Sequence, residues 1–155
     1  DFVCIPILLL HIFCRVLYAH KQKVTYNEHL ESLKDIHKKY ENPEYYNWVI
    51  TQKTDGKIVG MINLKPNHYN DSVEFNYATD NRYWGNGYMT ETLKRIIDFA
   101  LKELKVNRIQ GGCVVENKAS KRVMEKCNMH YEGILKKYIK LQDGHHDMFM
   151  FSLTN

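Results

Sequence analysis

The chain has few of the features that mark several common protein classes. It contains only three prolines in 155 residues, and no Gly/Ser-rich stretch or internal repeat interrupts it. Length and composition therefore predict a single domain over residues 1–155. The four cysteines have no C-x-x-C spacing; they are Cys4, Cys14, Cys113 and Cys127. This spacing argues against a zinc site or a disulfide framework, so we expect no metal, and reduced thiols in a cytoplasmic protein.

Neither the charge nor the apolar stretches of the chain are extreme. The formal net charge is +4 at pH 7 and the lysines are scattered, whereas a nucleic-acid-binding surface needs a denser basic stripe. The apolar residues 2–14 fall short of the roughly 20 residues that span a bilayer. No basic n-region or small-residue cleavage site accompanies them. We therefore expect no nucleic-acid or membrane partner, and an atypical or truncated start at about 1–15 that packs as a substitute strand or helix.

Hydrophobic periodicity predicts a mixture of strands and helices. Val73, Phe75 and Tyr77 alternate with polar residues, which is typical of a half-buried strand over 73–79. Apolar residues then recur at helical spacing from Met89 to Leu104. The other predicted elements are a capped helix at 25–40, strands at 45–52, 57–64 and 109–115, turns at 53–56 and 66–71, a helix from 117 that ends at Asn128, and a hairpin of strands at 133–141 and 146–153.

A glycine-bearing loop of sequence RYWGNGY, residues 82–88, opens the long helix. Such a loop exposes backbone N–H groups at the positive end of the helix dipole, which is a site suited to phosphate. A Walker loop would need Lys after its last glycine, but Tyr88 follows Gly87. A dinucleotide fingerprint would need a third glycine where Thr90 stands. The pattern that remains is Arg-x-x-Gly-x-Gly, and its alternative interpretation is an ordinary glycine turn before a helix.

This pattern resembles the pyrophosphate loop of the GNAT superfamily of N-acetyltransferases. The order of loop, long helix, strand, Asn117-x-x-Ser120, short helix and Tyr131-Glu132-Gly133 is similar to the branch of ribosomal-protein N-terminal acetyltransferases. Relatives usually carry glycine where this chain has Asn128, a residue that also tolerates the left-handed backbone. The resemblance covers about residue 16 to the C-terminus. It implies an α/β (α+β) fold with a mixed, mostly antiparallel sheet, splayed at its centre and covered by helices on both faces.

The resemblance implies acetyl-coenzyme A as the co-substrate and assigns residues to its binding. The pantetheine arm would lie where the strand at 73–79 splays from the strand at 109–115, with an N–H near Ala78 polarising the thioester carbonyl. The residues implied in cofactor binding are Tyr77, Ala78 and Thr79 for the arm, Arg82 with Gly85, Asn86, Gly87, Tyr88, Met89 and Thr90 for the pyrophosphate, and Asn117 for the arm.

Two residues are candidates for catalysis. Glu74 lies on the splaying strand and is our choice for the general base, although it equally fits the polar position of an alternating strand. Ser120, one turn into the second helix, stands where the ribosomal-type pattern has its serine, and the resemblance implies that it bonds the sulfur or steers the amine. The alternative is a first-turn residue that satisfies backbone groups of the helix. Met124 stands where many superfamily members have a proton-donating tyrosine, so that role cannot be transferred.

The cluster His145-His146-Asp147 invites a metal or relay interpretation. Consecutive strand residues point to opposite faces, however, so we favour a turn and strand start there. Tyr131 and Tyr138 are candidates for the wall of the acceptor cleft.

Three functions are weighed. The first is acetyl transfer to a primary amine, on a small molecule or a protein N-terminus, by direct attack in a ternary complex. The second is a catalytically inactive module that binds coenzyme A or acyl-coenzyme A. The third is an interaction or nucleic-acid-binding protein whose glycine turn is merely structural. The sequence is also compatible with a homodimer.

Overall fold

The structure, a computed structural model, describes residues 2–6 and 46–155. The predicted capped helix at 25–40, with its capping pair Thr25 and Glu28, and residues 7–14 of the apolar start lie outside the described residues. The described elements are β1 (Phe2–Pro6), β2 (Tyr46–Gln52), β3 (Ile58–Asn67), β4 (Ser72–Thr79), α1 (Tyr88–Asp98), β5 (Arg108–Val114), α2 (Lys118–Lys126), β6 (His130–Leu141) and β7 (Gly144–Thr154).

The strands belong to two compact units that share β4. The first unit contains residues 2–6 and 46–65 with Tyr77–Asn86, and the second contains Pro66–Asn76 and Gly87–Asn155. In the first unit the order is β1-β2-β3-β4, with β2 antiparallel to both β1 and β3. In the second unit the order is β4-β5-β7-β6, where β4 and β5 are parallel and the other pairs are antiparallel. The predicted mixed, mostly antiparallel sheet is confirmed.

Helix α1 buries one face, as its apolar spacing predicts. Its buried residues are Met89, Thr92, Leu93, Ile96 and Ile97. The α-helical part is shorter than predicted, because Phe99–Glu103 form a π-helical turn in which the N–H of Leu104 donates to the carbonyl of Phe99. Lys105 then adopts a φ of +55°, and a left-handed residue ends a helix.

Two turns show how local chemistry sets the strand ends. The predicted hairpin at 53–56 is confirmed, with Gly56 at a φ of +69°. The predicted turn at 66–71 is partly wrong, because β3 continues through Pro66 to Asn67. Proline holds φ near −65°, a value that the end of a strand can adopt. Its missing N–H excludes proline only from positions where the ladder needs a donor. The tighter turn at 68–71 ends at Asp71, whose φ is +48°.

No helix among residues 46–155 is both long and apolar enough to cross a membrane.

Candidate active site

The loop after β4 is held by a buried carboxylate. Asp80 is 4% exposed and caps the short 3₁₀ turn Asn81–Tyr83, where its Oδ1 accepts the N–H of Arg82 at 2.9 Å. The Arg82 guanidinium also donates to Asp80, with Nε 3.1 Å from each oxygen and Nη2 2.6 Å from Oδ2. This contact raises the pKa of Arg82 above its ordinary value. A guanidinium group carries five N–H donors, and the bonds to Asp80 use the Nε proton and one Nη2 proton. Both Nη1 protons and the second Nη2 proton take no part in them.

Side chains within the same loop fix its backbone. The indole N–H of Trp84 donates to the carbonyl of Thr79 at 3.0 Å, although 62% of the residue is exposed. The Asn86 amide donates to the carbonyls of Tyr83 and Trp84, both at 3.2 Å. The loop is therefore held together by hydrogen bonds from its own side chains.

Both loop glycines have a backbone that other residues rarely adopt. Gly85 has a φ of +80° and Gly87 a φ of +82°. A Cβ built on either glycine would meet no heavy atom within 4 Å beyond the adjacent residues. Gly87 is the N-cap of α1 and provides no side-chain cap. The first turn of a helix has N–H groups without intrahelical acceptors, so open space beside an uncapped helix start suits an anion.

The parallel ladder between β4 and β5 is short. Only three rows pair, Ser72 with Arg108, Val73 with Ile109 and Glu74 with Gln110. The remaining residues of β4, from Phe75 to Thr79, do not pair with β5, as the predicted splaying requires.

Tyr77, Ala78 and Thr79 are half-buried in the strand after this point. β3 passes them closely, since a Cβ on Gly60 would lie 2.4 Å from the Ala78 carbonyl oxygen. Glycine at position 60 therefore permits the approach that fixes the backbone of Ala78.

The candidate base Glu74 is half-buried between the buried side chains of Val73 and Phe75 in sequence. Successive strand residues face opposite sides, so Glu74 lies on the face away from those apolar neighbours. Among the described residues it has neither a hydrogen-bonding partner nor an ion pair. A carboxylate without a hydrogen-bonding partner in the described residues fits a general base. It fits equally the polar position of an alternating strand.

A polar network adjoins this row. The Arg108 guanidinium binds both oxygens of Glu132 at 2.7 and 2.5 Å, and its Nε donates to Gln110 Oε1 at 2.7 Å. The Ser152 hydroxyl also donates to Glu132, at 2.6 Å. Arg108 first and Ser152 second lower the pKa of Glu132 to about 2. The carboxylate is therefore ionised throughout the neutral range.

The start of α2 separates the roles of two candidates. Asn117 is the N-cap, and its Oδ1 accepts the N–H of Ser120 at 3.0 Å. The capping side chain is thus that of Asn117, while Ser120 contributes its backbone N–H to the cap. Cys113 Sγ lies 3.6 Å from the Asn117 carbonyl, and burial raises the pKa of this thiol.

The histidine cluster does not converge, as predicted. His146 Nε2 lies 2.8 Å from Asp143, and β7 has already begun at Gly144. No group of three His, Cys, Asp or Glu residues in the described chain could hold a metal ion. Tyr131 packs against Phe149 and Phe151, whereas 61% of Tyr138 is exposed.

Sequence reasoning missed three residues that organise the site. They are Asp80, Arg108 and Gln110. A signal existed for Asp80, because Asp directly before a short helical turn is a frequent N-cap. The pairing of Arg108 with Glu132 joins residues 24 positions apart and depends on a strand order that periodicity does not give.

Comparison with known proteins identifies the class. Residues 13–130 match the family model described as "Acetyltransferase (GNAT) domain". The chain belongs to this family, and the sequence-based assignment is confirmed. "Probable N-acetyltransferase YjcK" of Bacillus subtilis is 29% identical over 123 residues, which are 78% of this chain and 68% of that protein. Two further curated relatives are matched over 55% and 59% of their length, so the chain spans little more than half of them.

Solved structures support the fold over a longer stretch. Spermidine N-acetyltransferase SpeG of Vibrio cholerae, as its F149A mutant, has a TM-score of 0.80 at 18% identity, covering 99% of this chain and 94% of that one. Ribosomal-protein-S5-alanine acetyltransferase of Vibrio fischeri has a TM-score of 0.76 at 20% identity, covering 91% and 84%. At these identities the likeness concerns the fold.

Proposed function

We propose that this chain is an N-acetyltransferase that moves an acetyl group from acetyl-coenzyme A to a primary amine by direct attack in a ternary complex. The observation that carries the proposal is the early end of the β4–β5 ladder at the Glu74–Gln110 row. It leaves the backbone groups of β4 beyond Glu74 without β5 partners. An extended pantetheine arm can bond to those of Tyr77, Ala78 and Thr79 as a neighbouring strand does.

The glycine loop is assigned to the pyrophosphate. Open space beside Gly85 and Gly87, with the uncapped start of α1, fits a group that approaches backbone N–H donors closely. Tyr88, Met89 and Thr90 would contribute first-turn N–H groups. Asn86 orders the loop through its own amide, and the Arg82 donors that Asp80 leaves unused would hydrogen-bond to the phosphates.

Acetyl-coenzyme A supplies a thioester, whose carbonyl carbon gains a bond to the amine nitrogen while its bond to sulfur breaks. Glu74 takes a proton from the attacking amine, and the N–H of Ala78 donates to the carbonyl oxygen as negative charge grows there. Asn117 would bond the pantetheine arm, and the Ser120 hydroxyl would donate to the departing sulfur.

The acceptor is a primary amine, on a small molecule or on a protein N-terminus. The two solved neighbours of similar fold carry names that point to different amines, spermidine and a ribosomal-protein alanine. Fold alone therefore does not choose between them, and residues that differ among relatives with the same fold must decide.

Binding and turnover experiments separate this proposal from its alternatives. Acetyl-coenzyme A and coenzyme A should each raise the melting temperature, since a ligand that binds only the native state stabilises it. Thiol release should then depend on an added amine from a panel of spermidine, free amino acids and an alanine-initiated peptide. Stabilisation without amine-dependent thiol release would indicate the inactive binding module. No stabilisation by either compound would contradict the coenzyme site.

A further inference from the structure

The sheet face that carries Glu74 changes character at the last paired row of β4 and β5. In that row Gln110 pairs with Glu74 on one side and with Ser152 of β7 on the other. Paired residues of neighbouring strands point to one face, and alternate residues of a strand share it. The next two rows on this face lie in the direction in which β4 no longer pairs with β5. Their members are Gly112, Met150 and Gly133 in the first row and Val114, Met148 and Leu135 in the second. Neither row contains an ionisable side chain.

Two methionine side chains cover the centre of these apolar rows. A Cβ on Gly112 would meet Met148 Cε, and it would meet Met150 Sδ at 3.1 Å, so both thioether side chains lie over this glycine. Met148 is 8% exposed, whereas Met150 is half-buried. Met150 is therefore the methionine that a bound molecule can reach. Its flexible, polarisable side chain suits contact with apolar groups of irregular shape.

The opposite side of the last paired row is polar but electrically neutral. Arg108 binds both oxygens of Glu132, and the Ser152 hydroxyl donates to the same carboxylate. The carboxylate of Glu132 is thus already paired, and it is not available to a second ammonium group of an acceptor. The two directions along β5 from Glu74 therefore offer an acceptor either a satisfied ion pair or an apolar surface.

We infer that the methionine surface, formed by Met148 and Met150 over Gly112, contacts the carbon skeleton of the acceptor, and that the acceptor is a primary amine whose neighbouring group is apolar and uncharged. This inference rests on the proposed function, in which the amine reaches Glu74. Gly112 is two residues from Gln110 along β5, about 7 Å, so a substituent of a few carbon atoms spans the distance from the amine to the surface. An apolar group is stabilised there by leaving water, whereas an ammonium group would lose its hydration without gaining a partner.

The test compares two amines of equal chain length on the full chain, n-hexylamine and 1,6-diaminohexane. Thiol release from acetyl-coenzyme A should give n-hexylamine a kcat/KM about tenfold higher, because its far end has no charge. Equal values, a preference for the diamine, or thiol release with spermidine alone would overturn the inference and leave amine acetylation in place. If no amine releases thiol, the proposed function fails as well.

Variants of Met150 assign the preference to the methionine surface. Met150→Glu places a carboxylate there and should shift the preference about tenfold towards the diamine, while Met150→Leu, the matched control, stays apolar and should keep the parental preference. Calorimetry and thermal unfolding should show that each variant is folded and binds acetyl-coenzyme A with the parental Kd. An unchanged preference in a folded Met150→Glu protein would overturn the inference. If Met150→Glu does not fold, Met150→Gln replaces it and should lower the kcat/KM for n-hexylamine several-fold, and a parental value would be equally contrary to the inference.

Discussion

Replacing Gly87 by valine tests whether the glycine loop binds the coenzyme. Valine at a φ of +82° is strained, because a branched Cβ disfavours the left-handed region. The strain is not a clash, since a Cβ at this position meets no heavy atom within 4 Å beyond its neighbours. Valine would instead fill the open space beside the start of α1, which is where the pyrophosphate is assigned.

The expected magnitudes separate folding from binding. A residue forced into this region costs about 1–3 kcal/mol of stability. Loss of phosphate contacts should weaken acetyl-coenzyme A binding by more than tenfold, which corresponds to more than about 1.4 kcal/mol. The chain offers a matched control in Gly56, which has a φ of +69°, equally open surroundings and a place in the β2–β3 hairpin.

Calorimetric titration of acetyl-coenzyme A into the parent, Gly87→Val and Gly56→Val is the assay, with thermal unfolding of each protein. Both variants should melt lower than the parent, and only Gly87→Val should lose affinity. Parental affinity in a folded Gly87→Val protein would refute the assignment of the loop. An equal loss in Gly56→Val would mean that general destabilisation, rather than the loop, weakens binding.

Four other expectations concern named side chains. Glu74→Gln should lower kcat about 100-fold at neutral pH with little change in the Kd for acetyl-coenzyme A. Steady-state kinetics measure the first quantity and calorimetry the second. Asn117→Ala should raise the KM for acetyl-coenzyme A and cost about 1 kcal/mol of stability through the lost cap, whereas Asn117→Asp should raise KM and keep the cap oxygen. Ser120→Ala should lower kcat about 10- to 100-fold at nearly constant KM. Glu132, whose pKa falls from 4.5 to about 2 on folding, should contribute stability above pH 4.5 that fades as the pH falls towards 2.

Each of these expectations can be contradicted. Near-parental turnover of Glu74→Gln would return the residue to a polar strand position. Equal KM values for Asn117→Asp and the parent would mean that the amide protons of Asn117 do not reach the coenzyme. For Glu132, denaturant unfolding from pH 7 to pH 2.5 is compared with Glu132→Gln. The parent should lose its higher free energy of unfolding as the pH falls. If the difference from Glu132→Gln stayed constant down to pH 2.5, the ion pair would not be its source.

Local patterns predicted the parts of the fold that depend on neighbours in sequence. The period-2 alternation of apolar residues predicted a strand that buries Val73 and Phe75, and both side chains are buried in β4. The Asp55-Gly56 pair gave the β2–β3 turn, and Asn128 takes a left-handed backbone, at a φ of +58°, after α2. Each of these outcomes is set by side-chain size or by backbone sterics within a few residues.

Features that depend on strand order were beyond such patterns. The Arg108–Glu132 pair requires β5, β7 and β6 to lie side by side. The row that Gln110 shares with Glu74 likewise follows from the pairing of β5 with β4. The irregular register of β6 between Leu135 and Ile139 likewise depends on Asp147, whose carboxylate accepts the N–H of Lys137 across the hairpin. A bulge held by a residue on the partner strand leaves no periodic signal.

The contact between Arg82 and Asp80 changes what the loop contributes to anion binding. The motif suggested a cation placed before two glycines, but the carboxylate of Asp80 balances that charge and occupies two of the five guanidinium donors. The pair orders the chain, because the same carboxylate also caps the turn that precedes Gly85. Attraction for phosphate must then come mainly from backbone N–H groups, whose positions depend on the left-handed glycines. For this reason the loop should tolerate loss of the Arg82 charge better than a side chain at Gly87.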